Sequence, residues 1–214
     1  MKKYNGFSVI MICVLMMAFV TCDNNNEIDE PDNQPAIIGS STYIAAKPSK
    51  GFNYGYYYYI PKNINGVSKK YLLVEPNNTG KVSDDIKVHD DAAYNLINSG
   101  WGKSTADELL VVLLVPVFPR PTLGNSNLHV QALTRATLQV KSGKMARVDL
   151  QLIQMINDLK DKCDAIGIKV EPKILLNGFS ASAKFANRFT AIHPGLVQAV
   201  AAGGSTIPFY QLLP

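Results

Sequence analysis

Lys173-Ile174-Leu175-Leu176-Asn177-Gly178-Phe179-Ser180-Ala181-Ser182-Ala183 decides the fold of this 214-residue chain. Residues 174–176 are apolar on both faces, as a buried strand is. A helical pattern starts directly after Ser180 and ends before Pro194. A strand, a tight turn and a helix in this order hold the turn's serine in a strained backbone conformation, its hydroxyl above the sheet. The turn presses helix against strand, so the residues two before and two after the serine must be small, as Gly178 and Ser182 are. The helix start also places the Ala181 amide where it could stabilise a developing oxyanion. The competing reading is that Ser180 merely caps a helix. The setting between a buried strand and a helix, after several strand–helix units, favours the elbow.

Upstream, strands are expected at residues 56–60, stopped by Pro61, at 71–74, and at 109–115, bounded by Pro116. Helices are expected at residues 90–98, closed by Ser99-Gly100, and at 146–165, stopped by Gly167. Residues 75–80 (Glu-Pro-Asn-Asn-Thr-Gly) form a loop of turn residues, and 197–201 a last strand. Alternating strands and helices with short connections predict an α/β fold with a doubly wound, mostly parallel sheet. Such sheets bind ligands beyond the carboxyl ends of their strands.

The elbow, residues 71–80 (YLLVEPNNTG) and residues 115–121 (VPVFPRP) together resemble the α/β-hydrolase superfamily. The likeness spans residues 50–207 and is nearest to secreted esterases of the feruloyl-esterase and polyhydroxybutyrate-depolymerase type. It implies a carboxylic-ester hydrolase that needs no cofactor, with Ser180 as nucleophile and a small or polymeric ester as substrate. The oxyanion would be held by the Ala181 amide and by that of Asn77 or Asn78, from the loop after the third family strand. A turn-forming role for these asparagines is compatible with that.

In this family an Asp or Glu and then a His follow the serine. The 34 residues after Ser180 hold no Asp or Glu, and their one histidine, His193, ends the helix that starts at the elbow. Twelve helical residues put it about 18 Å from the serine, as a surface cap. His89 reads as a solvated loop residue, and His129 stands on the rim after a strand. Asp84, Asp85, Asp90 and Asp91 read as a solvated helix approach, and no spacing suits a metal. The chain therefore looks cut short, lacking the last strands of its domain, with an incomplete triad and little turnover of its own.

Lys2 and Lys3 precede an apolar run over residues 7–20 that is too short to span a membrane. With Val20-Thr21-Cys22 and the polar run beyond, the pattern resembles a bacterial lipoprotein signal. Residues 1–21 are then the leader, Cys22 the lipidated N-terminus, 22–40 a flexible tether and 41–214 the incomplete hydrolase domain. This predicts a protein anchored by lipid in a bacterial cell envelope, periplasmic or at the surface. An uncleaved anchor helix is the alternative. Cys163 falls on the apolar stripe Leu152, Met155, Ile156, Leu159 and reads as a buried hydrophobe. The net charge of +4 falls to +2 without Lys2 and Lys3, and no basic cluster suggests nucleic acid. The other functional class is a non-catalytic, surface-anchored binding lipoprotein on the same scaffold. Residues 54–59, rich in tyrosine, could then contact carbohydrate, though alternating strand tyrosines are usually structural.

Overall fold

Alternation of apolar side chains sets the architecture. In the strand Tyr56–Tyr59, Tyr56 and Tyr58 enter one apolar cluster, while Tyr57 and Tyr59 face the other. In Val112–Pro116, Val112 and Leu114 belong to the first cluster, Leu113 and Val115 to the second. A sheet buried on both sides needs helices on both sides. The computed structural model describes residues 35–99, 101–122 and 128–205. The leader with Cys22 and the apolar residues 207–213 lie outside them.

The strands are β1 (Thr42–Ile44), β2 (Tyr56–Tyr59), β3 (Leu72–Val74), β4 (Val112–Pro116), β5 (Ile174–Phe179) and β6 (Val197–Gly203). They form one sheet in the order β1-β2-β4-β3-β5-β6. The pairs β4–β3, β3–β5 and β5–β6 are parallel; β1–β2 and β2–β4 are antiparallel. The expected sheet is thus present, with an antiparallel margin that the sequence reading did not contain.

The helices are α1 (Ile86–Asn98), α2 (Gly102–Leu109), α3 (Arg135–Leu138), α4 (Val148–Ala165) and α5 (Ala181–Ile192). Leu152, Met155, Leu159 and Cys163 of α4 pack with Phe185, Ala186 and Phe189 of α5 on one face of the sheet. Ala93 and Ile97 of α1 and Ala106 of α2 cover the other. Each fully buried Leu or Phe contributes about 1.5–3 kcal/mol, so these two layers hold the sheet rigid beneath its loops.

One boundary differs from the expectation. The packed body begins before residue 41: Ala36 is buried in the core, and the Gly39 amide donates to the Ile60 carbonyl at 2.8 Å. The tyrosines of β2 are mostly interior, with Tyr56, Tyr58 and Tyr59 buried, so burial rather than ligand contact accounts for them. Cys163 is fully buried, and burial pushes its thiol up to about 12. Among the described residues β6 is the edge strand opposite β1, and residues 198–201 are exposed along it.

Candidate active site

Ser180 sits between β5 and α5 with φ 60° and ψ −113°. Leu110, Leu133 and Arg147 also have positive φ. Leu110 and Leu133 cap helical turns and Arg147 precedes α4, all three in the ordinary left-handed basin. Ser180 lies well outside that basin, a conformation that costs about 1–3 kcal/mol and persists only where surroundings enforce it. Here the enforcing contacts are visible. The Ser180 amide donates to the Gly203 carbonyl of β6 at 2.9 Å. A methyl group at Gly178 would stand 2.5 Å from both the carbonyl carbon and the oxygen of Ser182. The Ser182 hydroxyl closes the turn, accepting from the Phe179 amide and donating to the Phe179 carbonyl, each at 3.0 Å. Ser180 itself is exposed and makes no side-chain capping bond. The helix-cap reading therefore does not describe this serine. The Ala181 amide opens α5, where amides lack intrahelical acceptors.

The elbow lies where the winding of the sheet reverses. From β3 the chain passes through α1 and α2 to β4 on one side; from β4 it returns across to β5 on the other side of β3. The loops after β3 and β5 leave toward opposite faces, which opens a crevice at their carboxyl ends. Asn78 bridges it, its Nδ2 donating to the Phe179 carbonyl at 2.9 Å. The structure thus brings Asn78 to the turn that carries Ser180. Asn77 has a different role: fully buried, its carboxamide donates to the Phe118 carbonyl at 2.9 Å and accepts from the Phe118 amide at 3.1 Å. Its side chain is spent on clamping the loop to the end of β4.

A cavity of about 700 Å³ opens beside this crevice, lined by Glu75, Asn78, Leu96, Trp101, Phe179 and Ser182. Glu75 was absent from the sequence expectations except as part of a loop. It is 4% exposed, with Oε2 buried and unpartnered. Burial raises its carboxyl above the usual range, partly opposed by a hydrogen bond from Asn177. The one signal for it was an acid placed directly after an apolar strand.

None of the three histidines bonds the Ser180 hydroxyl. His89 is not the solvated residue expected: it is fully buried in α1. Its Nε2 lies 2.9 Å from the Ser83 carbonyl and accepts from the Arg120 amide at 3.2 Å, and its Nδ1 lies 3.2 Å from Gln131 Nε2. His193 does end α5, but it is more than a surface cap, since its Nε2 meets the fully buried carboxylate of Asp149 at 3.0 Å. His129 directly precedes the short 3₁₀ turn Val130–Ala132, with a buried Nε2 that has no partner. Burial first, then the charges of Arg120, Lys184 and Arg188, lower its imidazole to about 4. A base tuned so far below neutral is ill matched to taking a proton from serine. Asp84, Asp85 and Asp90 are engaged rather than merely solvated: Asp85 caps α1, Asp90 accepts from the Tyr57 hydroxyl at 2.9 Å, and Asp84 accepts from Thr122. Among the described residues no group of His, Cys, Asp or Glu could hold a metal.

No protein-family model and no curated protein matches the chain. Among solved structures it is similar to poly(aspartic acid) hydrolase-1 from Sphingomonas sp. KT-1, with a TM-score of 0.50 and 16% identity over 78% of this chain and 56% of that one. An acetyl xylan esterase from Aspergillus awamori gives 0.48 and 18% identity, over 77% of this chain and 52% of that one. A poly(3-hydroxybutyrate) depolymerase from Bordetella parapertussis gives 0.43 and 16%, over 76% and 50%. The chain spans about half the length of these structures. At such identities the likeness concerns the fold alone. The fold shared with the poly(aspartic acid) hydrolase is a mixed α/β sheet with helices on both faces.

Proposed function

We propose that the chain carries the nucleophile and oxyanion hole of a serine carboxylic-ester hydrolase, Ser180 being the nucleophile. The backbone of Ser180 carries this reading. Strain at a serine that is exposed, uncapped and set at the sheet's switch point serves no cap, and supports the reading of Ser180 as a nucleophile. In the reaction the Ser180 oxygen attacks an ester carbonyl carbon, a histidine takes the hydroxyl proton, and the amides of Ala181 and of Asn78 or Asn77 hold the oxyanion. The alcohol leaves with that proton, and water then releases the acid from the serine. Among the described residues no histidine is bonded to the Ser180 hydroxyl: His89 and His193 are engaged with other partners, and His129 Nε2 has none. This last fact is also what favours the alternative, a binding lipoprotein that never turns over.

Fluorophosphonate labelling separates the two. The chain alone should label slowly at Ser180. If in-frame sequence after Pro214 supplies a histidine and an acid, the extended chain should label fast and hydrolyse short aryl esters, and Ser180→Ala should abolish both. Ester hydrolysis that survives Ser180→Ala would overturn the proposal.

We further propose that Cys22 is acylated and holds the domain to a bacterial envelope membrane, with the residues directly after it as a tether. The apolar run before Val20-Thr21-Cys22 and the polar run after it support this. Cys22→Ala should leave an unprocessed or soluble product, and unchanged membrane fractionation would sink the idea.

A further inference from the structure

The cavity beside the elbow is graded in exposure. Trp101 and Phe179 are 66% and 63% exposed and mark its open side, while Glu75 is 4% exposed and marks its floor. Phe179 and Ser182 flank Ser180 in the chain, so the cavity abuts the serine. Its volume of about 700 Å³ is that of a small-molecule site. Glu75 starts from rigid backbone, its amide donating to the Leu114 carbonyl of β4 at 3.0 Å. Among the lining residues it alone is ionisable, and none is Lys, Arg or His. It forms no ion pair among the described residues, and its Oε2 is buried without a partner. The donor it does have, Asn177, is a neutral amide. A buried carboxylate is ordinarily matched by a cation, and this one is not.

We propose that this cavity binds an organic ammonium group, with Glu75 as its counter-charge and Trp101 and Phe179 as its aromatic walls, in an ester whose carbonyl is held at Ser180. The ester half of the proposal rests on Ser180 as the nucleophile; the cation site does not. An ammonium supplies the charge that Glu75 lacks, and aromatic faces attract the same group. An anionic group would meet an uncompensated carboxylate, and a purely apolar one would leave a buried acceptor unmet. Burial raises the Glu75 carboxyl, and a bound cation would oppose that by favouring its ionised form. The substrate class is therefore a carboxylic ester that bears a primary or quaternary ammonium.

The test is binding to the full chain, which needs no turnover. Trp101 is the chain's single tryptophan, so its fluorescence reads this cavity directly. The chain is titrated at constant ionic strength with choline and with dimethylbutanol, its neutral isostere with carbon in place of nitrogen. A second pair is n-butylammonium and n-butanol. At least one cation should bind about ten-fold more tightly than its neutral counterpart, and whichever does so tells a quaternary from a primary ammonium. Glu75→Gln keeps the side chain's shape and removes its charge. It should bring the cation to the level of the neutral compound, with the circular dichroism unchanged and the melting temperature no lower. Ser180→Ala should keep the preference, so failure of the nucleophile reading, seen by labelling, is distinct from failure of this site. Equal affinity for cation and isostere in the parent chain would overturn the proposal by itself. So would tighter binding of the neutral compound, or a preference that survives Glu75→Gln.

Discussion

Gly178→Ala tests the packing that holds the elbow. The added methyl would stand 2.5 Å from the Ser182 carbonyl carbon and oxygen and 2.7 Å from the Ala183 amide nitrogen. All three are backbone atoms, so no rotamer change relieves them. Ordinary contact begins at 3.4 Å, and the first turn of α5 would have to withdraw from β5 by roughly 1 Å. That motion pulls on Ala183, Phe185 and Ala186, all fully buried. Overpacking of this kind costs about 3 kcal/mol, the upper end of the usual range. For a domain of this size each kcal/mol moves the melting temperature by about 2–4 °C, so a fall of roughly 6–12 °C is expected. Gly195→Ala is the control: its methyl meets nothing within 4 Å and its φ is not positive. It should melt within about 1 °C of the parent. The assay is thermal unfolding of both variants by circular dichroism. If Gly178→Ala melts like Gly195→Ala, the strand and helix are not pressed together at the turn, and the strain at Ser180 loses its physical cause.

Asn77→Ala removes both bonds to the Phe118 backbone and leaves its buried amide unpaired, which should cost about 2–3 kcal/mol in denaturant unfolding while sparing the secondary structure. The Cys163 thiol, fully buried and pushed up to about 12, should resist thiol reagents at pH 8 in the folded chain and react at once in denaturant. For Asp149, burial raises the carboxyl, but the hydrogen bonds from Arg147 and His193 outweigh it and hold the group below the ordinary 3.8. A depressed carboxyl adds stability above that value and loses it as pH falls through the lower folded value. His193→Ala should therefore start acid unfolding at a higher pH and cost about 1–2 kcal/mol near neutrality. An unchanged acid transition would show that His193 does not support Asp149.

What could be read from the sequence was what neighbouring residues decide among themselves. The elbow is such a case: strand, strained serine and helix lie within a dozen residues, and the need for small residues at 178 and 182 follows from local sterics. The buried strand β4 showed as an unbroken apolar run, although it begins at Val112 rather than residue 109, because Leu110 caps α2 in the left-handed region. α2 itself was missed: Gly102–Leu109 is short and polar and follows Ser99-Gly100, which reads as a stop. β1 is three residues long, and its partner lies across a turn.

The harder case is the polar support beneath the site. Asn77, His89 and Gln131 each sit in surroundings that read as turn or loop, and each is fully buried. Asn77 Nδ2 and Gln131 Nε2 both donate to the Phe118 carbonyl, at 2.9 and 2.8 Å, while His89 touches Gln131 and receives the Arg120 amide. Gln131 Oε1 in turn accepts from the Thr79 amide at 3.3 Å, tying the loop after β3 to the same knot. These bonds join residues up to 52 positions apart, so no window of sequence contains the reason for any one of them. Once made, they are costly to break one at a time, since each loss strands a buried donor or acceptor. The loop after β3, the helix after it and the rim beyond β4 are thereby held as one piece facing Ser180. That rigidity lets a crevice between two loops keep an amide and a hydroxyl in fixed relation. Its residues look unremarkable in sequence because their polarity is used inward, on each other, and not on a substrate.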